Sequence, residues 1–415
     1  MKSISTIIRS PAAVFASGSY VSILLNLLQG VLFMRILGPE RYGIWLSLLL
    51  LFRYGQHTHF GTVQSIQRQL PLLRGQGDEA ALKDYAAAGH GMLVIASMGW
   101  GVLGSLLIMF FYREVWLGGA ALILVTGMEM WWQQGVAELK TQHRFGILAS
   151  MISSRAALNF ALLPLVLWWG LDGAYARWIL LLVVILAWTW KVNPVRGGFV
   201  FDRAMFGKIF RDGGPILVVG VVFTFQVSLD QTLIFLGLGE AALGRYGVAA
   251  LLMTIMLVIP SAVGQTAYPR MLEQFGRDAD ASALFPGVRR RTILVTSTSA
   301  VIAVIGFVAM PAVVGWIMPA YLPGVTAARW LLPGGVFLAA SVPSSDFLQT
   351  VQKQYLHLRL SIVAFSVQLA AGLSVLWAGG DIADIAAITT ASFGLYALLL
   401  VSAATRHARR SRSLK

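Results

Sequence analysis

The chain contains no cysteine and very little charge. Without cysteine, disulfides, zinc–thiolate sites and thiol nucleophiles are all excluded. Charged residues occupy 12% of the 415 positions, where a soluble chain carries about a quarter. With 57% hydrophobic residues and a mean hydropathy of +0.73, a water-facing surface cannot be assembled from this inventory. A GxxxxGK[ST] phosphate loop is also absent, which argues against ATP coupling within the chain. The lack of a sizeable outer loop or an acidic catalytic motif argues against an enzyme, and no cofactor is expected.

The charge that is present leans one way: 32 Lys and Arg against 18 Asp and Glu, a formal +14. In a soluble chain this would point to nucleic acid. In a membrane chain the retention of Lys and Arg in cytoplasmic loops explains it, and no nucleic-acid partner is expected. The opening is briefly basic and then apolar from Ala12 to Leu37, too long for a signal core and right for a retained spanning helix. Apolar runs of spanning length recur near 12–37, 42–67, 86–111, 115–137, 146–170, 173–190, 213–237, 242–268, 292–318, 325–350, 358–378 and 383–404. Placing both termini in the cytoplasm puts most basic residues in the inner segments, ending in the tail RHARRSRSLK. That tail reads as an anchor that also meets anionic membrane lipid.

Two stretches echo each other about half a chain apart. RILGPERYGIW (Arg35 to Trp45) follows the first span, and FLGLGEAALGRYGVAA (Phe235 to Ala250) follows the seventh. An even number of helices per half makes the halves parallel. The expected fold is an all-α integral membrane protein of about twelve transmembrane helices. They form two parallel six-helix lobes around a central cavity, residues 1–200 and 201–415, the second ending in the basic cytoplasmic tail.

LGPERYGIW, followed by RQLPLLRGQGD (Arg68 to Asp78), resembles the opening of polysaccharide and O-antigen flippases. These belong to the superfamily that also holds multidrug extruders and the peptidoglycan-precursor flippase. FDRAMFGKIFRDGGPILV (Phe201 to Val218), SLDQTLIFLGLGEAALGRYGV and IPSAVGQTAYPRMLEQFGRD (Ile259 to Asp278) are similar to that family's inter-lobe link and its seventh and eighth helices. Gln231 after Asp230 departs from the basic residue that many relatives carry there. The resemblance implies alternating access and a cargo of undecaprenyl-pyrophosphate-linked oligosaccharide, moved from the inner to the outer leaflet of the bacterial cytoplasmic membrane. A glycan polymerase and a chain-length regulator are the partners it implies. A multidrug or cation antiporter of the same fold is the runner-up, and a membrane glycan polymerase or glycosyltransferase is the enzyme-class alternative.

A dianionic pyrophosphate crossing hydrocarbon calls for cations inside the bundle, and charges at that depth face a cavity or a partner. In FRYGQHTHFGTVQSIQRQ, helical spacing places Arg53, His57, Gly61, Gln64 and Arg68 down one side of the second span, as a cavity wall. The alternative is that Arg53 snorkels or pairs with Glu129. Arg155, with Asn159 one turn on, is the second candidate cation; two arginines could grip a pyrophosphate bidentately. An ion pair between Arg155 and Glu129 stands equally open. His57, Asp230 and Glu129 are candidates for ion coupling, with Asp346 behind them. Trp131, Trp132, Trp168, Trp169, Trp188 and Trp190 are read as interface anchors.

Overall fold

The computed structural model describes residues 11–111, 113–142, 144–193, 198–278 and 280–413. Among them every regular element is helical. The tail's last two residues, Leu414 and Lys415, lie outside the described set.

Helix α1 (Pro11–Gly55) is two helices joined at Gly38, whose φ of 70° breaks the first before Pro39 begins the second. Glycine tolerates that backbone and proline suits a first helical turn, so the GP pair acts as stop and start. The second span then stops again. A 3₁₀ turn covers Gln56–His59, Phe60 and Gly61 take left-handed φ of 53° and 81°, and α2 (Thr62–Gly75) follows. Next come α3 (Glu79–Phe111), α4 (Trp116–Thr141), α5 (Phe145–Ala161) and α6 (Pro164–Val192), the last kinked at Gly170. The second half holds α7 (Arg203–Leu238), α8 (Glu240–Asp278), α9 (Ala281–Ile317), α10 (Val325–Thr350), α11 (Gln354–Trp377) and α12 (Ile382–Ser413). Among the described residues, nine helices are long and apolar enough to cross a membrane. The chain is a multi-pass membrane protein.

Two compact units divide the chain: residues 1–36 with 48–221, and residues 37–47 with 222–415. In the first, α4 packs against α2, α3, α5 and α6. Its apolar contacts fall into two clusters, one around Ile66, Leu70 and Tyr85 and one around Trp132, Met151 and Ile185. A close crossing also belongs to this unit. A Cβ on Gly213 would lie 2.0 Å from the Gly61 carbonyl oxygen, so only glycine lets α7 approach the turn before α2.

In the second unit α10 packs against α8, α9 and α12 over one large core that includes Leu338, Phe347, Phe393, Tyr396 and Leu400. Here the two sequence echoes meet. A Cβ on Gly43 would fall 1.8 Å from the Glu240 carbonyl oxygen, and one on Gly244 would fall 1.7 Å from that of Pro39. Gly43 of the first echo and Gly244 of the second are therefore the contact surface of two helix starts pressed backbone to backbone.

The outward surface is apolar, as lipid contact requires: Trp377 is 93% exposed and Trp316 86%. Of the tryptophans read as anchors, Trp168, Trp169 and Trp190 are exposed. Trp132 is a correction: it is buried against Leu139, Met151 and Ile185, because its position on α4 faces α5 and α6.

Candidate functional site

The polar residues of the first unit do not form the single stripe that unbroken helical spacing predicts. The 3₁₀ turn and the left-handed pair at Phe60 and Gly61 interrupt the register between His57 and Gln64, so Arg53 and Gln64 sit on different helices. The turn is held locally by side chains. Thr58 Oγ1 donates to the Gly55 carbonyl at 2.8 Å, Thr62 Oγ1 to the His59 carbonyl at 2.6 Å, and the Gly61 N–H to His59 Nδ1 at 3.2 Å. These short-range bonds give the backbone an alternative to the helical ladder, which is why a Thr- and His-rich stretch ends a helix that composition alone would continue. Arg53 and His57 are half-buried, and both have interaction partners. The Gln64 side-chain oxygen is buried without a hydrogen-bond partner. Gln56 accepts from Gln133 Nε2 at 3.0 Å, tying the turn to α4.

Arg155 on α5 and Glu129 on α4 form the ion pair that stood open. Arg155 Nη1 and Nη2 donate to the two Glu129 carboxylate oxygens at 3.0 and 2.8 Å, and the guanidinium also sits 5.6 Å from the Trp132 ring centroid. The fork-on-fork geometry is the strong form of such a pair. Its arginine side chain keeps 26% exposure while the glutamate keeps 10%, so the cation is the accessible partner.

One turn further along α5, Asn159 leads to a cluster that sequence reasoning missed. Arg177 on α6 is 3% exposed, and its guanidinium carbon lies 4.3 Å from the Phe33 ring centroid. With the Gln29 amide turned to meet it, the Gln29 oxygen accepts from both Arg177 Nη atoms at 3.0 and 2.9 Å. The Gln29 amide nitrogen then faces the Asn159 amide at 2.8 Å. The Asn159 backbone carbonyl accepts a third Arg177 N–H at 3.3 Å, and Arg177 Nε has no partner. No carboxylate lies within ion-pair distance of Arg177 among the described residues. It is a buried cation held by neutral oxygens and an aromatic face. A buried side chain reaching Phe33 and Gln29 is a tertiary fact that the position of Arg177 in the sequence does not show.

In the second unit Asp230 is 3% exposed, accepting from Tyr246 Oη at 2.5 Å and from the Gln231 backbone N–H at 2.7 Å. Tyr246 is the repeated tyrosine of the second echo. The Asp230 carboxylate thus braces α7 against the start of α8. No group of three or more His, Cys, Asp or Glu that could hold a metal ion is present among the described residues.

No protein-family model matches the chain, and no curated protein does so by sequence. Solved structures do. An inward-facing multidrug resistance MATE family transporter of the MOP superfamily matches with a TM-score of 0.79 at 14% identity, over 94% of this chain and 96% of that one. The lipid II flippase MurJ in an inward closed conformation matches at 0.74 and 11% identity, over 94% and 87%. An outward-facing MATE transporter matches at 0.70 and 13% identity over 100% of both chains. The chain accordingly has the all-α membrane fold that MATE transporters share with the lipid II flippase MurJ.

Proposed function

We propose that the chain is a flippase that moves an undecaprenyl-pyrophosphate-linked oligosaccharide, an O-antigen or exopolysaccharide repeat unit, from inner to outer leaflet by alternating access. The two halves of the sequence, residues 1–200 and 201–415, act as the two lobes, and both termini lie on the cytoplasmic side of the bacterial inner membrane. The observation that carries this reading is a buried cation in the first unit with no carboxylate within ion-pair distance among the described residues. Arg177 is enclosed without a carboxylate, and Arg155 presents the more exposed half of a bidentate pair. Cations at such depth are costly unless they have work with an anion. A pyrophosphate offers the planar oxygen pairs that a guanidinium fork accepts, so it can replace Glu129 on Arg155 by exchange of like for like. Arg53, His57, Gln64 and Asn159 complete the polar lining. A glycan polymerase and a chain-length regulator receive the product.

The experiment is export of lipid-linked glycan in cells, with protein level measured alongside. Arg155→Ala and Arg53→Ala should each reduce surface glycan at least about tenfold, the loss of roughly 1.4 kcal/mol or more of headgroup binding, with Arg53→Lys milder. Wild-type export by both alanine variants would end the anion-site reading. Ion coupling is assigned to His57, Asp230 and Glu129. His57→Gln should alter the pH dependence of export, and an unchanged profile removes His57 from that role.

The second reading, multidrug or cation antiport, is favoured by one specific observation. Arg155 is closed onto Glu129 and Asp230 is buried, so each unit also offers a carboxylate that a cation could recruit. Drug sensitivity that rises in Glu129→Gln and Asp230→Asn cells while surface glycan stays intact would select it.

A further inference from the structure

The first unit contains a cavity of about 280 Å³ between His90 of α3, α4, the end of α6 and Phe199. Its floor is a hydrogen-bond network centred on Glu138, which is 0% exposed. His90 Nε2 on α3 lies 3.0 Å from Glu138 Oε1, and Gln134 Nε2 donates to the same oxygen at 2.9 Å. Asn193 Nδ2 donates to Glu138 Oε2, and Gln142 Nε2 donates to Asn193 Oδ1 at 3.3 Å. Gln134 and Glu138 are four residues apart on one face of α4, and Gln142 is the residue that caps its end.

The Gln134 and Asn193 amides both donate to the carboxylate and Gln142 donates in turn to Asn193, which fixes each amide's orientation. What is left over is all of one kind. The side-chain oxygens of Gln134 and Gln142 are buried with no hydrogen-bond partner, and Gln134 itself is 1% exposed. A buried acceptor left unmade costs about 1–3 kcal/mol, so the site is short of donors. Among the described residues Glu138 is the only acid lining the cavity. Histidine donates through Nε2 without being charged, so the carboxylate's charge is available for a ligand cation to balance. With no third His, Asp or Glu in the cluster, the donor set does not match a divalent metal.

The walls are aromatic. Trp131 stacks on His90 with centroids 5.8 Å apart, and Phe199 lies edge-on to Trp131 at 6.0 Å. Trp190 and Phe199 are 58% and 49% exposed at the rim. Aromatic faces around a buried carboxylate are the arrangement that holds an organic ammonium. We propose that this cavity binds an amphiphilic organic ammonium, its N–H groups meeting the Gln134 and Glu138 oxygens and its apolar part lying against Trp131, Trp190 and Phe199. Exposed Lys140 and Lys191 flank Glu138 and Trp190 in sequence, a placement suited to the phosphate of an aminophospholipid. The same ammonium chemistry on a free amphiphile fits the floor equally.

The test is thermal stabilisation of the purified full-length protein in detergent. It is titrated separately with dioleoyl-phosphatidylethanolamine, dioleoyl-phosphatidylglycerol and dodecylammonium. Phosphatidylethanolamine or dodecylammonium should raise Tm where phosphatidylglycerol does not. Both Glu138→Gln and Phe199→Leu should move the half-saturating concentration up by about tenfold. Stabilisation by the phospholipid alone assigns the site to a lipid headgroup; stabilisation by dodecylammonium alone assigns it to free amines. If Glu138→Gln does not fold, Phe199→Leu carries the test, since its side chain sits at the exposed rim. Equal stabilisation by both phospholipids with none by dodecylammonium, or titrations unchanged in Phe199→Leu, overturns the proposal.

Discussion

The two units handle buried polarity in opposite ways. The first encloses charged side chains: the Arg155–Glu129 ion pair, the Glu138 carboxylate with His90 Nε2 3.0 Å away, and Arg177 all belong to it. The second wraps a large apolar core that includes Leu338, Phe347 and Val351, and tyrosine hydroxyls are among its buried polar contacts. Tyr246 meets Asp230, and Tyr396 lies 2.9 Å from His357 Nε2. In hydrocarbon neither arrangement gains from hydrophobic collapse, because lipid is as apolar as leucine. The apolar core must hold by close packing and the charged one by satisfied hydrogen bonds. The comparison teaches where each unit is brittle: the second to lost volume, the first to a lost partner.

The largest expected effect strikes the second unit. Phe347 is 0% exposed within its core, and Phe347→Ala should cost about 3 kcal/mol or more, read as a fall in Tm of the purified protein. A loss no greater than that of an exposed control such as Trp377→Ala would mean this core is not the rigid element described.

Next, in the first unit, Glu129→Gln removes the charge from a shared fork and leaves the Arg155 guanidinium half-satisfied. A cost of about 1–3 kcal/mol is expected. The companion double variant Glu129→Leu with Arg155→Met should recover much of it, because an apolar replacement of both partners strands neither. A double variant worse than Glu129→Gln alone would break the claim that partnership, rather than volume, governs this unit. The smallest effect is Tyr246→Phe in the second unit, about 1 kcal/mol. Asp230 keeps the Gln231 N–H when the hydroxyl is gone.

Much of the fold was legible before any coordinates. Apolar runs of spanning length mark α3, α4 and α6 to α12, since lipid demands length and hydrophobicity and little else. The Gly-Pro break at Gly38 and Pro39 was visible as a turn in LGPER, and the repeated LG, acid and Arg-Tyr-Gly pattern proved to be two surfaces that touch. The site was legible only in part. Arg155 and Glu129 stood out as charges in apolar helices, and their pairing was one of two open readings. The 3₁₀ turn at Gln56–His59 was not legible, because the residues that cause it fit a helical stripe as well as they fit a turn. His90, Glu138 and Asn193 escaped notice although Gln134 and Glu138 share one face of α4. Their meaning depends on a histidine and an asparagine brought in from other helices.

By itself, the sequence determined the solvent this protein lives in and most of the long apolar helices suited to crossing it. Those follow from composition averaged over about twenty residues, which no neighbouring helix can change. Which charges meet which partners was decided only in three dimensions. Arg177 reads as a cation like any other until Phe33 and Gln29 are placed around it, and Glu138 reads as an ordinary acid until three helices close on it. Partnership is a property of atoms a few ångströms apart, and residues far apart in the chain reach that distance only when helices pack.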